Sequence, residues 1–196
     1  MTENLARKNL YDYFSGQVTE VNERRNLDLS MDLVRYLSAL LVELSNTEKA
    51  FSEDHPDTLS EWHLLAGSSH PSKAVHLYKA LGDHALYIAG FFSESLDRKP
   101  VGVQFYADMG GAAYQRAASL STLSGHYLAL SQIFHELAER FRACIGILTE
   151  VSEVGADNRP QDLVRLYERW LTTQDDWTRE RLIALGLIPS TPISVH

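Results

Sequence analysis

Nine apolar residues recur at alternating steps of four and three: Leu123, Tyr127, Leu130, Phe134, Leu137, Phe141, Cys144, Leu148 and Val151. That period keeps one stripe of a helix against a partner for about 30 residues, which is the geometry of a bundle seam. Strands alternate at every second residue and leave no such repeat. The spacing predicts one long central seam helix over about 122–153.

Shorter signals of the same kind fill the rest of the chain. Leu33, Leu37, Leu40 and Leu44 share a face, with Asp28 or Ser30 before them as N-cap candidates. Thr58 followed by Glu61 fits a capping box, in which hydroxyl and carboxylate each satisfy a free backbone N–H. Pro71 suits the first turn of a helix carrying Ala74, Tyr78, Leu81, Ala85, Ile88 and Phe92. A further helix is expected over about 101–120, with a break near 121–124. Residues 12–26 read as a short helix end and then a polar connection around Gly16. No stretch alternates long enough for a strand pair. The expected fold class is all-α: a single-domain helical bundle of about 7–8 helices over 1–187, with an irregular tail over 188–196.

The net charge of -8 argues against a nucleic-acid partner, because phosphate binding draws on clustered Lys and Arg. The densest basic spot, Arg24 with Arg25, is flanked by Glu20 and Glu23. The apolar run from Ala85 to Phe92 is too short for a membrane span, and the first ten residues show no signal-peptide pattern. The single cysteine, Cys144, occupies a seam position and has no partner for an internal disulfide. A soluble cytoplasmic protein is expected.

Candidate functional residues are polar groups whose helical phase places them among apolar ones. On the helix beginning at Pro71, His84 falls near Leu77, Leu81 and Ile88, while His76, Lys79, Asp83 and Tyr87 form the narrow polar strip. On the next helix Arg116 falls beside Phe105, Met109, Ala113 and Leu120. His126 falls among Leu130, Ile133 and Leu137, and Glu43 lines the edge of its apolar stripe with Tyr36. Buried charges and imidazoles need partners, so a polar cluster of Glu43, His84, Arg116 and His126 is expected inside the bundle. Glu43, His84 and His126 are also the candidate metal ligands. His135 and Glu139, one turn apart, read as a solvated pair.

Gly110 and Gly111 stand together inside a helix otherwise rich in alanine, where each costs about 1 kcal/mol relative to Ala. Close approach of another helix or of a flat ligand would offset that cost. The segment Tyr106-Ala107-Asp108-Met109-Gly110-Gly111 resembles the distal-helix segment of heme oxygenases, in which an aspartate precedes a glycine pair facing the heme. The resemblance covers six residues and would carry over Asp108, Gly110 and Gly111 to a heme site, while Tyr106, Gly110 and Gly111 stand with Glu43, His84, Arg116 and His126 as the candidate ligand-binding residues. Those enzymes take a proximal histidine from an N-terminal helix, whereas the first histidine here is His55.

Two function classes follow. One is a protein that acts through binding, either regulatory or around a buried small ligand, with a homodimer as the first partner to consider and Tyr87, Trp170 and Trp177 as anchors. The other is a metal- or heme-dependent oxidoreductase with its site near His84 and His126. The sequence names no cofactor, carries no pair of Glu-x-x-His motifs for a di-iron site, and has no Gly-x-Ser-x-Gly elbow.

Overall fold

The computed structural model describes residues 2–45, 56, 58–92, 96, 102–124, 128–154, 170 and 176–184. They form eight helices: α1 (Thr2–Arg25), α2 (Met31–Ser45), α3 (Leu59–Ser68), α4 (Pro71–Phe91), α5 (Val103–Ser124), α6 (Leu128–Glu139), α7 (Phe141–Val154) and α8 (Asp176–Ala184). There is no strand among the described residues, so the protein is an all-α helical bundle. None of these helices is long and apolar enough to cross a membrane.

The middle of the bundle is α4, which packs against α5, α7 and α3. Its buried residues run almost round the helix, from Ala74 and Val75 through Leu81, Gly82, Asp83, Ala85 and Leu86 to Ala89 and Gly90. α5 lies between α4 and α6, and α1 packs on α2 and α7.

α1 passes straight through Gly16, where a connection was expected. Leu10, Phe14, Val18 and Val21 are its buried stripe, only one residue per turn. So narrow a stripe is overwhelmed by polar neighbours in a sequence window. The chain then reverses through Asn26 and Asp28, both at positive φ (51° and 53°), a region that the short polar Asx side chains tolerate. Asn22 Oδ1 accepts from Leu29 N at 3.2 Å and holds the turn.

Ser30 proves to be the cap of α2. Its Oγ accepts from Leu33 N at 3.1 Å and donates to Glu136 Oε2 at 2.5 Å, and Ser30 N donates to Glu136 Oε1 at 2.8 Å. One carboxylate on α6 therefore clamps the start of α2. The Thr58–Glu61 capping box forms at the start of α3, and Pro71 occupies the first turn of α4.

The seam is apportioned differently from the single helix expected over 122–153. Residues 122–124 complete α5, and residues 125–127, with His126, lie outside the described residues. α6 and α7 then meet at Arg140, where the bonds Arg140 N to Glu136 O (2.8 Å) and Cys144 N to Arg140 O (2.9 Å) carry the helical ladder across. The buried face is the expected one from Phe134 through Leu137, Phe141, Cys144 and Leu148 to Val151, whereas Leu130 is exposed. The tail over 188–196 lies outside the described residues.

Candidate functional site

The polar centre of this bundle is Asp83. It is a charged residue just 7% exposed, on the strip of α4 that amphipathicity assigns to water. Three helices supply its partners. Tyr36 Oη from α2 donates to Oδ1 at 2.5 Å, Tyr114 Oη from α5 donates to the same atom at 2.5 Å, and Lys79 Nζ, one turn back on α4, donates to Oδ2 at 2.6 Å. A buried carboxylate is tolerable only when paired and hydrogen-bonded, and here both oxygens are engaged.

The surroundings are aromatic. Tyr114 stacks on Phe134 of α6 with centroids 6.1 Å apart, and Tyr36 meets both rings edge-on at 6.4 and 6.3 Å. Lys79 Nζ also lies 5.5 Å from the centre of the Tyr36 ring, within the range of a cation–π contact. Gly82 makes this approach possible, since a Cβ there would stand 2.8 to 2.9 Å from three atoms of the Tyr114 ring. The glycine lets a fully buried phenol lie against the α4 backbone and reach the next residue's carboxylate.

Burial, followed by the Asp83 charge, pushes the Tyr36 and Tyr114 phenols well above their ordinary range. For Lys79, burial acts first and favours loss of the proton. The charge of Asp83 and its hydrogen bond, with Glu43 behind them, outweigh burial and hold the ammonium above its usual range. Both tyrosines therefore remain neutral donors at neutral pH and the lysine remains charged. Nucleophilic or general-base chemistry needs shifts in the other direction, toward a neutral amine or a phenolate. Cys144 is likewise removed from chemistry, its thiol pushed by burial to about 12.

The expected site residues take different places. Glu43 is exposed on α2, two turns beyond Tyr36, and its charge is felt by Tyr36 and Lys79. His84 is half-buried with its ring 5.6 Å from that of Trp62 on α3. Of the adjacent Asp83 and His84, the aspartate is the more buried. Arg116 is exposed, against the expectation of an interior guanidinium. Its misplacement follows from α5 itself: the buried face is Ala107, Gly110, Ala113, Tyr114, Ala117, Ala118 and Ser121, while Phe105 is exposed and Met109 and Leu120 lie at its edges. Apart from Tyr114, the inward side chains are small, because α4 and Phe141 come close to α5. His126 lies outside the described residues, so the set Glu43, His84 and His126 is incomplete here. Among the described residues no three His, Cys, Asp or Glu side chains converge as metal ligands.

In the heme-oxygenase-like segment, Tyr106 is half-buried and Asp108 is exposed, accepting from Gln104 Nε2 at 2.6 Å. Gly110 is buried beneath the Phe141 ring, and a Cβ there would come within 2.9 Å of the Ala85 Cβ. Gly111 has only ordinary neighbours, Ala138 O at 3.7 Å being the nearest to a built Cβ. The glycine pair thus serves tight helix packing at Gly110, while Gly111 would accept a Cβ at ordinary contact distances.

Tyr87 and Trp170, expected as anchors for a partner, are each 2% exposed and belong to the chain's own interior. Arg24 and Arg25 both pair with Glu150 of α7. His135 and Glu139 form the expected exposed pair at 3.4 Å. Among the described residues the most exposed large apolar side chain is Leu64 of α3, at 71%, with Leu65 beside it at 41%.

Lys79 and Asp83 stand in the order that helps an isolated helix less, since an acid preceding a base by four residues is the better arrangement. That order next to Gly82 marks Asp83 as a residue not placed for helix stability alone, but the partners Tyr36 and Tyr114 come from other helices. No family model, curated protein or solved structure matches the chain.

Proposed function

We propose that this protein acts through binding, as a regulatory or interaction protein of the cytoplasm whose first partner is a second copy of itself. The observation that carries the reading is the closure of the Asp83 cluster. Both oxygens of its carboxylate are engaged by side chains of this chain, and its lysine and tyrosines are held in the protonation states least suited to attack or proton abstraction. Such a cluster specifies how α2, α4 and α5 fit together, which is the best-attested use of buried ionic groups. Recognition then belongs to the exterior, where α3 turns Leu64 and Leu65 to solvent.

The test combines light scattering over a concentration series with metal analysis and an absorption spectrum of the purified protein, followed by titration with iron, zinc and hemin. The binding reading expects a mass above that of one chain and no stoichiometric metal or heme. A monomer at all concentrations would remove the self-association claim. Stoichiometric iron or hemin, lost in a His84→Ala/His126→Ala variant, would replace the reading with an oxidoreductase whose site lies near those histidines.

A further inference from the structure

We draw no further inference here: the strongest candidate, the exposed apolar patch of Leu64 and Leu65 on the outer face of α3, carries nothing more because nothing in the structure shows what covers it.

Discussion

Asp83 is the residue on which the packing of three helices converges, and replacing it separates charge from hydrogen bonding. Asp83→Ala strands two buried phenol hydroxyls and the Lys79 ammonium, and is expected to cost about 3 kcal/mol or more. Asp83→Asn keeps an acceptor for Tyr36 and Tyr114 but turns an amide N–H₂ toward Lys79, so its cost should be smaller. Urea unfolding with an unchanged slope measures both, and equal losses would show that the charge carries the whole effect. Gly82→Ala is the complementary test. The added methyl meets a Tyr114 ring that is stacked on Phe134 and tied to Asp83, and overpacking of that kind costs about 1 to 3 kcal/mol. A Gly82→Ala variant as stable as the wild type would mean that Tyr114 has room to retreat.

At the scale of a single helix, the two adjacent glycines of α5 should behave oppositely. Gly110→Ala drives a methyl into Phe141 and Ala85, and a loss of about 1 to 3 kcal/mol is expected. Gly111→Ala finds ordinary contact distances and should gain up to about 1 kcal/mol from helix propensity alone. Matched melting curves of the two variants settle the contrast, and a stabilising Gly110→Ala would contradict the packing described for α5. Gly16 in α1 is exposed with nothing within 4 Å of a built Cβ, so Gly16→Ala should also raise stability by about 0.5 to 1 kcal/mol. No change there would indicate that α1 is not a continuous helix in solution. For α3, Thr58→Ala removes the hydroxyl half of a formed capping box, leaves the bond from the residue 58 N–H to Glu61 in place, and should cost about 1 kcal/mol.

For the whole molecule, the protonation of the interior sets an alkaline limit. The phenols of Tyr36 and Tyr114 and the ammonium of Lys79 all have folded-state pKa values above their ordinary 10.0 and 10.5, and the Cys144 thiol is raised from 9.0 to about 12. Raised values mean that the folded chain holds its protons more tightly than the unfolded chain. Their contribution is therefore complete below the unfolded values and is lost as pH rises through the folded ones. Melting temperature should hold steady around neutrality and fall progressively above about pH 9. Phenolate absorbance followed in parallel should show Tyr36 and Tyr114 ionising only as the protein unfolds. Ionisation of every tyrosine in the native state would overturn the buried cluster.

Periodicity was enough to make the all-α class, the capping box at Thr58, the start of α4 at Pro71 and the buried seam from Phe134 to Val151 legible, because each depends on spacing along one helix. The site was not legible in that way. Helical phase weights bulky apolar residues, so Phe105, Met109 and Leu120 drew Arg116 inward on paper while mostly Ala and Gly, with Tyr114 and Ser121, took the buried face of α5. Phase likewise sends the strip holding Asp83 and Tyr87 to water, and nothing within α4 reports that Tyr36 and Tyr114 arrive from α2 and α5 to satisfy the carboxylate. Whether a polar residue is wet or buried depends on what the neighbouring helices bring to it. Spacing determined the helical class and where most helices lie, though not the continuity of α1 through Gly16 or the division of the seam, and the tertiary packing decided which polar residues became interior.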